Sequence, residues 1–152
     1  MIGCTHLLPE LFGEVIVPEA VRIELQSSHA PESVRDFILA PPKWLRVQIV
    51  EEEALESAFE PELHRGEREA IALAEILPAD YLIMDERAGR RVAIRRQIVV
   101  IGTLGILDKA DAEGLIGDFP GLLERLEETS FYITDSLRDT LLKRHRTRNE
   151  PG

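Results

Sequence analysis

The chain has 152 residues, enough for one domain with a single hydrophobic core and no need of staples. Its 44% apolar content is ordinary for a globular protein, and the single cysteine, Cys4, excludes an intrachain disulfide. A formal charge of −10 argues against a generic nucleic-acid coat, yet leaves room for an enzyme that gathers carboxylates around a cation.

Residues 6–12 read as the end of a helix closed by Gly13, and the run EVIV (14–17) as a strand. Pro18 opens a helix to about Ser27, at a position where the missing N–H costs nothing. A short helix is expected over 32–39, ended by Pro41-Pro42, then a strand over 44–50 and a short acidic helix over 51–58. Residues 67–77 form the next helix, which Pro78 stops. The strand YLIM (81–84), a helix over 87–96 and the strand IVVI (98–101) come next. Helices are expected from Gly102-Thr103-Leu104-Gly105 to about Ala112, over 119–128, and from a Thr134 or Asp135 cap to about His145. Phe131 to Ile133 reads as a strand or an extended linker.

Strands that are continuous apolar runs, alternating with helices, imply an α/β fold with a parallel sheet covered on both faces. One domain over 1–145 and a frayed tail over 146–152 are expected. No apolar run approaches the roughly 18 residues that span a membrane. The opening MIGCTHLLPELFGE has no basic leader, so a cytoplasmic protein is expected.

In such a fold, helix N-termini and strand C-termini share the edge where ligands bind. Glu69, expected in the first turn of its helix, and Asp85, directly after YLIM, therefore share that edge. On a helical wheel Ala72, Leu73, Ile76 and Leu77 flank Glu69, while Glu67, Arg68 and Glu75 fall on the other side. A carboxylate at that place is costly without a partner. Bending back to its own helix N–H groups is the structural alternative, for which Glu67 is better placed. Glu24 lies in the arc of Ala20, Val21 and Leu25 on a helix that starts at the same edge, either as a functional acid or paired with Arg22 or Lys43.

Three converging carboxylates repel each other unless a hard divalent cation such as Mg²⁺ or Mn²⁺ joins them. Such an ion activates water and stabilises charge on a phosphodiester. Cys4 and the four histidines give no zinc-ligand spacing, and the histidines read as surface residues. Arg87, Arg91 and Arg95 form one stripe beside Asp85, with Arg90 near it. It is either a solvated helix face or a phosphate-contacting rim. Thr103 points to the same edge. Asp108 and Asp111 read as exposed acids, Trp44 as a core or rim residue, and KRHRTR (143–148) as a frayed basic tail, with RNA contact as the alternative.

The run GEREAIALA…LIMDERAGRRVA…VIGTLGIL…AEGLI, with VPEAVRIEL upstream and LLERLEETSFYITDSLRDTLL at the end, resembles the PIN-domain superfamily. More narrowly it resembles the VapC-like group of small PIN proteins, over about residues 2–142. The resemblance implies a Rossmann-like three-layer α/β/α sandwich and a Mg²⁺- or Mn²⁺-dependent endoribonuclease, usually the toxin of a toxin–antitoxin pair. By motif, Glu24 in VRIEL, Glu69 in GEREA and Asp85 in LIMDER match the family's catalytic and metal-holding acids, with Glu86 as a helper. Arg87, Arg91 and Thr103 are the candidate RNA contacts. The expected partners are an RNA substrate and a small antitoxin protein, no membrane, with room for a homodimer. The family opens on an apolar strand ending in Asp. IGCTHLLPELFGEVIVPEAV resembles the family's segment after that strand, so the first central strand and first acid are expected to be missing and activity to be impaired. A non-catalytic PIN-fold protein that binds an antitoxin or RNA is the alternative.

Overall fold

The computed structural model describes residues 3–57 and 60–150. Ala58, at the end of the expected acidic helix, and Ile2, Pro151 and Gly152 lie outside the described residues. The chain divides into two compact units: residues 12–103, and residues 3–11 with 104–150.

The larger unit follows the predicted alternation. The short α1 (Leu7–Phe12) belongs to the smaller unit up to Leu11; in the larger unit β1 (Val15–Pro18) leads into α2 (Glu19–Gln26). α3 (Glu32–Leu39), β2 (Leu45–Gln48), α4 (Glu52–Ser57), α5 (Arg65–Ile76), β3 (Leu82–Ile83), α6 (Arg87–Arg95) and β4 (Val100–Ile101) come after it. All pairing is parallel, as continuous apolar strands predict: β1 runs beside β2 with Val15 opposite Leu45, and β3 beside β4 with Leu82 opposite Val100. The α/β class is thus as expected. Among the described residues, however, the strands form two separate pairs, β1-β2 and β3-β4, where one sheet was expected. Helix α5 packs against both β1 and β3. At β3, Leu82 and Met84 are buried while Tyr81 and Ile83 are exposed. This is the period-2 alternation of a strand with one face in a core.

Two cores hold this unit. Ile71 and Ala74 of α5 meet Leu82, Met84, Val92 and Ala93, and on another side Ala72 and Leu73 meet Val50 and Leu55. Residues 71–74 are therefore buried all round, which explains why α5 has no polar face at its centre. Trp44 is partly buried and its ring lies 6.0 Å from that of Phe37.

The smaller unit contains α7 (Thr103–Ala112) from its second residue on, α8 (Phe119–Glu127) and α9 (Asp135–Asn149). Its core joins Leu7, Leu107, Ala110, Phe119, Leu122, Leu123, Leu126, Ile133 and Leu141. Asp118 caps α8 by accepting the Gly121 N–H at 3.0 Å, and Thr134 caps α9 through the Leu137 N–H. Phe131 to Ile133 lies in no helix and pairs with no strand among the described residues.

Three expectations are corrected here. Asp111 is buried rather than exposed, and the Asp108 side chain is only 16% accessible. The basic run at 143–148 is not frayed: α9 continues to Asn149 because Arg144 pairs with Asp108 (2.9 Å) and Arg148 with Asp108 (2.8 Å) and Asp111 (2.9 Å). His145, expected at the surface, is partly buried, with Nδ1 2.7 Å from Asp111 and its ring stacked on Phe119. The Arg148 guanidinium is held above its ordinary pKa, chiefly by its hydrogen bond to Asp108. No helix among the described residues is long and apolar enough to cross a membrane.

Candidate functional site

Helix α5 sets the geometry. It begins at Arg65, two residues before the expected start, because His64 and Glu67 close a capping box in which Glu67 Oε2 accepts the His64 N–H at 2.9 Å. Glu67 is thus the capping acid, as the wheel suggests. Glu69 falls in the second turn instead of the first, too far along to serve its own helix N-terminus.

Glu69 is 3% exposed, the buried carboxylate the sequence predicts. Both of its oxygens are taken. Oε2 accepts the Ala20 N–H at 2.8 Å, and Oε1 accepts from Arg65 Nε at 2.9 Å. Arg65 also reaches Glu52 at 2.6 Å, and these two acids, Glu69 first, raise its pKa.

Asp85 follows β3 and is exposed. Its oxygens are held by the start of α7: Oδ1 accepts the Thr103 N–H at 2.8 Å, and Oδ2 accepts the Thr103 hydroxyl at 2.6 Å. Gly102 allows this approach, since a Cβ there would lie 2.7 Å from Asp85 Oδ1 and 2.9 Å from Arg90 Nη1. Arg90 itself donates to the Met84 carbonyl at 2.8 Å.

Glu24 departs from its expected setting. It is exposed rather than sunk in the apolar arc of α2, and it pairs with neither Arg22 nor Lys43. Arg22 is engaged by Glu19 and Gln26 instead, and Arg22 holds the Glu19 carboxyl below its ordinary pKa. Glu24 Oε1 lies where a Cβ on Gly66 would come within 2.8 Å, so only glycine lets α2 and the start of α5 approach without moving it. Glu24, Glu62, His64, Arg65, Glu67, Glu86 and Ala88 line an open cleft of about 710 Å³. Neither the Glu24 nor the Glu86 side chain has a hydrogen bond or ion pair among the described residues. By sequence Glu86 has only a minor part, His64 reads as a surface residue and Glu62 carries no signal. The spacing of His64 and Glu67, and of Arg65 and Glu69 four apart, was the readable signal.

A family profile described as a PIN domain matches residues 1–147. The chain belongs to the PIN-domain family. No curated protein and no solved structure matches it.

Membership in the PIN family brings a nuclease-type function in general and, across the family, the use of divalent metals. The donor set here is of the right class for a hard cation, since Glu24, Glu69 and Asp85 offer only oxygen. Their arrangement is not. Glu69 and Asp85 have each oxygen bound to a donor. Among the described residues no group of three or more His, Cys, Asp or Glu stands where it could hold a metal. As placed, the three acids do not fit a metal ion.

The arginine stripe is divided in the same way. Arg91 pairs with Glu62 at 3.0 Å and Arg95 with Glu60 at 3.4 Å, so two of its guanidinium groups already have counter-charges. Arg87 is exposed, with no pair among the described residues. The Thr103 hydroxyl, a candidate RNA contact by sequence, is occupied by Asp85.

Proposed function

We propose that the protein is a ribonuclease of the PIN type and the toxin of a toxin–antitoxin pair, active in the cytoplasm. The observation that carries this reading is the acidic cleft at the start of α5, where Glu24 and Glu86 are exposed and without side-chain partners among the described residues, in a chain of PIN membership. We assign the working acids to Glu24 and Asp85, both exposed, and the first phosphate contact to Arg87, two residues after Asp85 and without an ion pair among the described residues. The toxin part rests on the resemblance to VapC-like proteins, which also supplies the small antitoxin as partner. The family's use of divalent metals favours Mg²⁺ or Mn²⁺; no ligand set for the ion is assigned. The family match runs through both units, which supports reading them as parts of one PIN-like domain.

A second reading is favoured by a specific observation: the carboxylates of Glu69 and Asp85 are both engaged by protein donors. It is a PIN-fold protein that binds RNA or an antitoxin without cutting. Incubating labelled RNA with the protein in MgCl₂ or MnCl₂, and again with chelator, separates the two. Cleavage that chelator stops is the expected result. RNA retained intact under every condition favours the second reading, and cleavage that survives chelation contradicts metal dependence.

A further inference from the structure

Helix α2 has a defect at its start. Its N-cap is Pro18, whose side chain supplies no acceptor, and the Glu19 side chain is engaged with Arg22. The N–H groups of a first helical turn have no partner within the helix and need one from elsewhere. That of Ala20 finds it 49 residues along the chain, in Glu69 Oε2 at 2.8 Å. The negative charge lies at the positive end of the α2 dipole, which favours both. Burial of Glu69 is tolerable because Arg65 balances its charge from the solvent side and anchors it toward Glu52 in α4. Gly66 completes the join, since a Cβ there would come within 3.1 Å of Val21 Cγ2.

We propose that Glu69 is not an ion ligand but the remote cap of α2, a positioning residue that fixes the helix carrying Glu24. An ion ligand must present an oxygen to solvent; Asp85, whose oxygens also accept from Thr103, is exposed, whereas the Glu69 side chain is only 4% accessible and its oxygens accept from Ala20 and Arg65. Ala20 and Glu24 are four residues apart, so the contact that holds Ala20 sets the face of α2 on which Glu24 stands. It rests on the reading above, in which Glu69 is not among the working acids, and it stands or falls on different data.

The test is amide hydrogen exchange by NMR on the full chain, with Mn²⁺ titration alongside. In the wild-type protein the Ala20 amide should exchange at least tenfold more slowly than in an unstructured chain. Glu69→Ala should speed that exchange at least tenfold. Glu69→Gln, which keeps a carbonyl acceptor, should restore most of the protection and leave Mn²⁺ affinity within about threefold of wild type. An unprotected Ala20 amide in the wild type overturns the proposal. So does unchanged protection in Glu69→Ala, or a folded Glu69→Gln protein whose Mn²⁺ affinity has dropped tenfold or more. If Glu69→Ala does not fold, the wild-type exchange rate still decides. If the wild type binds no Mn²⁺, the nuclease reading loses support while the Ala20 amide continues to report on Glu69.

Discussion

Phe119→Ala should lower the stability of the protein by about 3–5 kcal/mol, the usual cost of emptying a fully buried aromatic site. Phe119 is 0% exposed and begins α8, where it meets Leu122, Leu123 and the neighbouring helices of the smaller unit. The ring also stacks on His145, with centroids 5.4 Å apart and planes inclined by 23°. Its loss therefore removes both apolar packing and the surface that orients the imidazole. Urea unfolding followed by circular dichroism measures the change. A loss under about 1 kcal/mol would mean that the site is solvated or collapses freely, contrary to this packing.

Asp111→Ala should cost about 3 kcal/mol, the lower end of the range for removing one partner of a buried ion pair. The Asp111 side chain is 2% accessible and is met by His145 and Arg148 from α9. The lower end applies because Arg148 keeps Asp108 as a second partner. The same unfolding experiment reads the effect, and a neutral result would show that the pair does not hold α9. Since Phe119 and Asp111 both act on His145, the double variant should be less destabilised than the sum of the two. The expected coupling is on the order of 0.5–3 kcal/mol.

Neighbouring residues decide the features that were legible in the sequence. EVIV, YLIM and IVVI announced strands, though not their partial exposure, and Pro78 marked the end of α5 almost to the residue. Strand pairing was not legible. The four-residue run YLIM contributes only two paired residues, because its partner and register are set by tertiary contacts. The wheel correctly buried Glu69, yet Ala20, which takes up its carboxylate, lies 49 residues away and carries no side-chain signal.

Two errors had readable causes. Glu24 was placed in the apolar arc of α2 on its spacing from Val21 and Leu25, but both of those residues are only half-buried, so the arc is narrower than the wheel assumed. Asp111 stands four residues after Leu107 and one after Ala110, both buried, so its helix position already pointed inward. Its partners in α9, 34 and 37 residues on, were hidden in a run that reads as a basic tail.

The most direct test of the nuclease reading is the rate at which the 152-residue chain cleaves a fluorescent RNA in MnCl₂, compared with that of Glu24→Gln. Glu24 is exposed and its side chain is unpaired among the described residues, so this substitution should leave the circular dichroism spectrum and unfolding midpoint unchanged. The account predicts cleavage by the wild type and a rate roughly a hundredfold lower in the variant, the scale of losing one working acid or base. Folded wild-type protein that leaves the RNA intact, or a Glu24→Gln protein that cuts as fast as the wild type, would contradict it.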